Sequence, residues 1–590
     1  MSSELIRCIE DFLNPTEIKA AQKLFEAGEL LALYHQLIPL LESAIWQPHL
    51  NVLNLQRYQA LCVELEQFQS DMPNSDQHHF YVVIPVADRP QHLAACVKSL
   101  QLCAESFQYG GKLEGNFNKL TLIIADDSAQ QKNIKEHKKL AQEMESSGLP
   151  VIYFGLEQQL KEIEQLPSER RTALVNVIGE LSKHDFAHKG ASLMRNITYL
   201  LLRRLAEKNA RCLFFFADSD QEFHTNTQSG QPLATTNYFY HLNRIFQKNT
   251  VKVLTGKVVG DPPVSPAVMA GTFLDDVIAF VDEVADQPID CACGFHLGIE
   301  QDDGAAYHDM AKLFGFEHVT QAYRYSCSIM TEHNQIDCVL SFAQRLQHFF
   351  DGAHPTRSTP YIHHDVADSV LPARTVYTGN YVLSAEALKY FIPFANLKLR
   401  MAGPTLGRII QAEIGDEFVA ANLPMLHKRT VEDLGCAEFR PGVNHSAVFV
   451  DLSGEYQRQF FGDVMLFSVI ELSKQGFPKA VPDETVVLAC VMDTENRLRQ
   501  QYKQTQQEVM GKLKLLLDCL FKSRDWWQKN EDLKQARLLF ETFAENIRIN
   551  FSPQSAASIA IESEQVCEQQ RDAIVNAILG YEEDRRVWGV

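Results

Sequence analysis

Between Cys212 and Phe223 the chain reads CLFFFADSDQEF. Leu213 to Ala217 carry no polar side chain, so the pattern predicts a short strand buried on both faces. That strand stops at Asp218-Ser219-Asp220. Two carboxylates one residue apart, at the end of a buried strand, repel each other where solvent screening is poor. A divalent cation would remove the repulsion. Hard oxygen ligands at the mouth of a parallel sheet suit Mg2+ or Mn2+, held jointly by carboxylate and substrate phosphate. The plain alternative is a strand ending in a solvated acidic turn.

The preceding segments repeat the pattern. Phe80 to Pro85 (FYVVIP) predicts a strand that runs into Asp88-Arg89, and a helix with one apolar face (His92, Leu93, Cys96, Val97, Leu100) follows. Leu120 to Ala125 (LTLIIA) predicts a second strand, ending at Asp126-Asp127. A polar helix over about 133–146 and a strand over 150–154 come next. Apolar strands without alternation, separated by helices, predict a doubly wound, mostly parallel α/β sheet whose functional groups gather at the strand ends. Phe186 to Arg204 predicts a Lys-Gly turn feeding a helix. Lys189, Arg195 and Arg89 thereby become cations near acidic strand ends, an arrangement suited to a diphosphate with its metal ion. Taken singly, each is equally well a surface ion pair.

The flanks differ in texture. Residues 1–75 are predicted helical, with Leu30, Leu33, Leu37 and Leu41 at helical spacing, and residues 446–590 form a second helical region. In the latter, Val509 to Trp527 predicts an amphipathic helix that would lie on a membrane or pack against its own protein or a second copy; the acidic tail around Glu582 to Asp584 favours packing. The central region is taken as 76–445, with 224–375 an insertion longer than an ordinary connection. A net charge of −20 argues against a general nucleic-acid or anionic-lipid binder. The first residues lack a basic start with an apolar run, and no segment reaches the length of a membrane span. The thirteen cysteines show no spacing framework, and Cys291 and Cys293 are too close for CxxC chemistry. They are expected to be reduced, in a cytoplasmic protein.

Four pieces in order resemble family 2-like glycosyltransferases of the GT-A fold: VVIPVADRPQHLAACVKSL, LTLIIADDSA, KGASLMRN and FFFADSDQEF. The resemblance covers residues 80–223 and implies a Rossmann-like GT-A domain with helical additions at both ends. It implies donor contacts from Pro85, Asp88, Arg89, Asp126 and Asp127, and from Lys189, Arg195 and Asp218. Further on, TGNYVLSAEAL resembles the strand and turn framing the acceptor, which implies roles for Gly379 and Asn380. LPMLHKR resembles a closing strand and implies that His427 joins Asp218 and Asp220 around Mn2+ or Mg2+. Where many members carry a Glu-Asp pair with a general base, this chain has Arg400-Met401-Ala402-Gly403-Pro404. An inverting reaction would then draw its base from Glu300, Asp302 or Asp303; a retaining one needs none. The expected function is metal-dependent transfer of a sugar from a nucleoside-diphosphate sugar to an acceptor the sequence does not name. Two rivals stand beside it: a catalytically inactive binding or scaffold protein, and a sugar nucleotidyltransferase. The latter is disfavoured because ADRPQHL after the first strand lacks glycine. Self-association through the helical regions is left open.

Overall fold

The computed structural model describes residues 3–46, 50–70, 76–180, 186–225, 233–248, 250–295, 322–329, 331–377, 379–429, 438–446, 449–480 and 482–589. At its centre, among the described residues, is a sheet of nine strands. In chain order these are β1 (His79–Val86), β2 (Leu120–Asp126), β3 (Val151–Phe154), β4 (Cys212–Ala217), β5 (Gln221–Glu222), β6 (Val253–Gly260), β7 (Leu371–Pro372), β8 (Asn380–Ser384) and β9 (Phe418–His427). Side by side they run β3-β2-β1-β4-β8-β6-β9-β5, with β7 also paired to β9.

The first half is parallel: β1 pairs with β2 and β4, and β2 with β3. Helices Pro90–Phe107 and Gln131–Ser146 make the connections from β1 to β2 and from β2 to β3, and helix Ala191–Lys208 leads into β4. The chain moves outward from β1 to β3, then returns to the other side of β1. Strand order therefore reverses between β1 and β4, the place where open α/β sheets form a crevice beyond their strand ends.

The second half corrects the expectation of a mostly parallel sheet. Strand β8 runs antiparallel to β4 and β6, and β9 is antiparallel to β5 and β7 but parallel to β6. Half of the pairings are thus antiparallel. Apolar runs predict strands without direction; the end from which the preceding connection arrives sets the direction. The stretch 224–375 is likewise more than an insertion. It contributes β6, which lies between β8 and β9, along with helices Tyr238–Phe246, Pro266–Ala285 and Gln335–Arg345.

Alternate strand residues enter two separate cores. Tyr81, Val83, Phe214, Phe216, Tyr381 and Leu383 point into one, and Phe80, Val82, Leu213, Phe215 and Val382 into the other. Helices Ser3–Phe12, Pro15–Glu26, Leu30–Ile45 and Val52–Ser70 complete the second core with Pro90–Phe107 and Tyr238–Phe246. Helices Ser453–Ser473, Glu484–Lys522, Glu531–Phe551 and Glu564–Gly589 complete the first with Ala191–Lys208 and Pro266–Ala285. The helical flanks are therefore the covers that unalternated strands require. The predicted Val509 to Trp527 helix falls largely within Glu484–Lys522 and packs on its own protein. Val509, Leu513, Leu516 and Leu520 are buried, and Lys512 donates to the Gly271 carbonyl (2.7 Å) and pairs with Asp275 (2.6 Å) on helix Pro266–Ala285. Among the described residues no helix is long and apolar enough to cross a membrane.

Phe216 shows how tightly the centre is built. Its ring stacks on Tyr381 at 4.7 Å and meets Tyr199 edge-on at 5.4 Å, while the two tyrosine hydroxyls share a hydrogen bond of 2.9 Å. Phe216→Ala is expected to destabilise the protein by about 3–5 kcal/mol. Leu515→Ala, at a side chain 55% exposed, should change stability by no more than about 0.5 kcal/mol. Urea unfolding of both variants checks the contrast; equal effects would remove β4 from the role of central strand.

Candidate functional site

The end of β2 carries two aspartates with different tasks. Asp126 is almost wholly buried. Its Oδ1 accepts the Ser128 N–H (2.9 Å), and its Oδ2 accepts the Tyr153 hydroxyl (2.5 Å) and faces His137 Nδ1 (2.9 Å). Burial pushes its pKa up, but the bond and charge of His137, with Ser128 and Tyr153, outweigh burial and hold it below the ordinary carboxylate value. Asp126 thus ties β2 to the helix Gln131–Ser146 and to β3. Asp127 points the other way, onto the ammonium of Lys189, and accepts the Gly190 N–H (3.3 Å). Lys189 also donates to Gln159 Oε1 (2.8 Å). Burial raises the pKa of Asp127 and lowers that of Lys189, so each opposes the charge that its partner favours.

Asp88 follows β1 in a left-handed conformation, φ 52°. Its carboxylate accepts the N–H groups of Ala129 (3.0 Å) and Gln130 (3.1 Å) and the Asn133 amide (3.0 Å), and pairs with His188 (2.5 Å). It therefore fixes the loop that enters helix Gln131–Ser146 and, through Asn133, the first turn of that helix, where partial positive charge favours a carboxylate. Pro85, half-buried in β1, sits opposite Ala125 of β2.

The two acids of the DSD turn lie differently. Asp218 pairs with Arg195, and its side chain is 33% exposed, enough to meet a ligand. Asp220 is buried and faces two arginines and a histidine from two segments. Its Oδ2 accepts from Arg89 Nη1 (3.1 Å) and lies 3.7 Å from His427 Nε2 and 3.9 Å from Arg429 Nη1. Burial raises the Asp220 pKa, yet Arg89, His427 and Arg429 prevail and hold it well below the usual value. His427 ends β9. Its Nδ1 donates to the Asp261 carbonyl (2.8 Å), which leaves Nε2 as the lone-pair nitrogen in the neutral ring. The structure therefore pairs His427 with Asp220, but Asp218, Asp220 and His427 do not bring three ligand atoms within 4.8 Å of one another. Lys428 Nζ turns instead to Glu222 (3.3 Å).

Gly379 and Asn380 serve the frame. A Cβ on Gly379 would lie 2.5 Å from the Gln221 side chain, whose Oε1 accepts the Asp218 N–H at 3.1 Å. Asn380 Nδ2 donates to the carbonyls of Lys257 (3.2 Å) and Leu423 (3.0 Å), where the register of β9 shifts between Ala420 and Pro424. An amide side chain satisfies carbonyls that the irregular ladder leaves over. Glu300, Asp302 and Asp303 lie outside the described residues.

Two site-shaping acids escaped the sequence reading. Asp261 orients His427 through its carbonyl and accepts the Arg429 N–H through Oδ2 (2.8 Å). It follows a strand as Asp218 does, so the same strand-end rule would have found it. Glu438 accepts the Gln91 N–H (3.0 Å) and pairs with His92, while its neighbour Phe439 stacks on His188 at 4.2 Å. Nothing local in sequence marks that long-range strap.

Asp126 carries a pH prediction. Its folded pKa is depressed, so its stabilising effect is complete above the unfolded carboxylate value, ~3.9, and is lost as pH falls through the folded one. From about pH 5 into acid, the stability difference between wild type and Asp126→Asn is expected to shrink, most steeply below about 4. Denaturant midpoints across that range check it; a difference that stays flat into strong acid would refute the charged network.

No protein-family model and no curated protein matches this chain. Among solved structures it is similar to a mannosyltransferase, PcManGT from Pyrobaculum calidifontis, determined with GDP-Man and Mn2+. The identity is 8% and the TM-score 0.30, with 88% of this chain and 100% of that chain covered. A likeness at that level says nothing of what this chain binds.

Proposed function

We propose that this chain is a glycosyltransferase that uses a nucleoside-diphosphate sugar, with its donor site where strand order reverses between β1 and β4. The observation that carries the reading is the gathering of acids and cations at that strand edge. Asp127 with Lys189, Asp218 with Arg195, and Asp220 with Arg89, His427 and Arg429 meet there from separate segments. Crevices beyond strand ends at such a reversal are the ligand sites of open α/β sheets.

A sugar nucleotide fits the chemistry of this edge. Arg89 and Arg429 each have a buried Nε without a hydrogen-bond partner among the described residues, donor capacity beyond what Asp220 uses. A diphosphate would take up that capacity through paired N–H···O bonds. Asp127 is the carboxylate for the nucleoside side, with Lys189 holding it in place. Asp220 and His427 are the residues that would hold Mn2+ or Mg2+; Asp218, paired with Arg195, would have to leave that partner to join them. The donor set fits: a carbonyl-anchored imidazole presents its lone pair towards a carboxylate held ionised. When bound, such an ion supplies Lewis-acid stabilisation to a leaving diphosphate. Arg89 and Arg429 add fixed positive charge where the leaving group gains negative charge. Asp88, Gly379 and Asn380 position the loops without a claim on the donor. Glu300, Asp302 and Asp303 stay the proposed base of an inverting reaction.

One observation favours a second reading, a binding protein without turnover. Arg195 and Arg89 already neutralise Asp218 and Asp220 in this structure, so the edge is electrostatically complete without a metal ion.

Thermal unfolding with a panel of sugar nucleotides, with and without Mn2+, separates the two. At a ligand concentration ~100 times Kd the stabilisation should be ~2.7 kcal/mol. On the transferase reading the shift needs metal, and Asp220→Ala and His427→Ala remove it. A shift indifferent to metal and to both substitutions favours the binding protein. No shift with any nucleotide refutes the donor site.

A further inference from the structure

Three cysteines and a histidine meet at a place that shares no residue with the strand edge. Cys293, Cys327, His333 and Cys338 bring their sulfur and nitrogen atoms within 4.8 Å of one another. Cys327 and Cys338 are buried, and Cys293 and His333 half-buried. None of the three cysteines is in a disulfide. The sequence pattern hid this set, because the spacings are 34, 6 and 5 residues and no CxxC pair occurs in it.

The backbone assembles the set independently of any ion. Residues 291–295 are tied to 327 and 333–335 by main-chain bonds. The Cys293 N–H donates to the His333 carbonyl (3.3 Å), the Gln335 N–H to the Cys291 carbonyl (3.0 Å), and the Cys327 N–H to the Phe295 carbonyl (3.1 Å). Cys338 stands in helix Gln335–Arg345, whose start is fixed by an Asn334–Asp337 capping box.

The histidine is set as a ligand. Its Nδ1 lies 2.7 Å from the Thr331 carbonyl, which can only accept, so Nδ1 carries the proton. Nε2 is left with its lone pair and sits 3.2 Å from Cys327 Sγ. A ligating histidine that donates its other ring N–H to a backbone carbonyl is the usual outer-sphere arrangement of a metal site. Tetrahedral zinc places ligand sulfurs roughly 3.8 Å apart, and sulfur and nitrogen roughly 3.6 Å apart. The observed separations are within the reach of small side-chain rotations.

We infer that Cys293, Cys327, His333 and Cys338 form a structural Zn2+ site. Three thiolates and one imidazole are a soft donor set that selects zinc over the hard ions suited to carboxylates. Four protein ligands fill a tetrahedral shell and leave no position for water or substrate, so the role is structural and not catalytic. Binding replaces the thiol protons of the three cysteines by the ion and releases those protons to solvent. The site clamps the segment after helix Pro266–Ala285 to the start of helix Gln335–Arg345, on either side of residues 296–321. Cys291 is an internal control: its sulfur pairs with Gln335 Oε1 (2.7 Å) and does not join the set.

The test uses the full chain purified without chelators or metal-affinity resin. Elemental analysis should find about one zinc per chain, the stoichiometry of a single closed site. Cobalt exchanged into it should give the intense visible bands and near-ultraviolet sulfur-to-cobalt charge transfer of tetrahedral thiolate coordination. Cys293→Ser and Cys338→Ser should lose the metal, and Cys291→Ser should keep it. His333→Cys should keep the metal and strengthen the charge-transfer band through a fourth sulfur. Should the serine variants fail to fold, the wild-type zinc content and cobalt spectrum decide. A metal-free wild type without the cobalt bands overturns the site, as does equal metal loss from Cys291→Ser and a well-folded Cys338→Ser.

Discussion

Strand β4 must be buried on both faces, and most of the architecture follows from that. Its six residues, Cys212–Ala217, send alternate side chains into two different cores. Neither core can be closed by the sheet itself. Helices from the first 70 residues close one, and helices from beyond 450 close the other. Apolar burial of this kind is non-directional and roughly proportional to area. It therefore fixes that the strand is covered, not which helices cover it. The two ends of the chain are recruited to opposite faces of one strand, and the helical flanks and the central sheet form one packed body.

The same burial shapes the chemistry at the strand end. A carboxylate taken out of water must be paired or hydrogen-bonded. The structure solves this in two ways. Asp88 and Asp126 are saturated by backbone N–H groups, histidines and a tyrosine, and hold the first helical turns in place. Asp127, Asp218 and Asp220 are paired with long cations from other segments. Saturated acids are locked, whereas side-chain cations can change partner when an anion or a metal ion arrives. That division separates the residues that build the edge from those free to serve it, although all five look alike as strand-end aspartates.

The Cys/His set obeys a different logic. It lies between a helix end and a helix start, on chain tied together by a few main-chain bonds. Phe280, Phe295, Tyr325 and Phe342 pack together beside it, so ligand bonds there would add a directional cross-link to a core that apolar contact alone does not orient. Hard donors at the sheet edge and soft donors at this clamp would keep two divalent ions apart without any barrier between them.

By itself the sequence determined the strands β1, β2, β3 and β4, the helices Pro90–Phe107, Gln131–Ser146 and Ala191–Lys208, and the acids at the ends of β1, β2 and β4; it was silent on the three short helices between β3 and Phe186. Each is written in local apolar runs and their abrupt termination, and periodicity needs no knowledge of partners. β8 and β9 were expected only through the family resemblance, whereas periodicity in the sequence also marked the amphipathic face of the long C-terminal helix. Strand direction lay beyond it, as did the place of Val253–Gly260 in the middle of the sheet, because both depend on how distant connections return. Only the tertiary structure decided that Asp88 fixes the loop before a helix while Asp218 stays partly exposed, that His427 faces Asp220 and not Asp218, and that Cys293, 34 residues before Cys327, joins it around His333. These outcomes rest on contacts between residues far apart in the chain. Residue type limits what such contacts can be, and the folding of the backbone chooses among them.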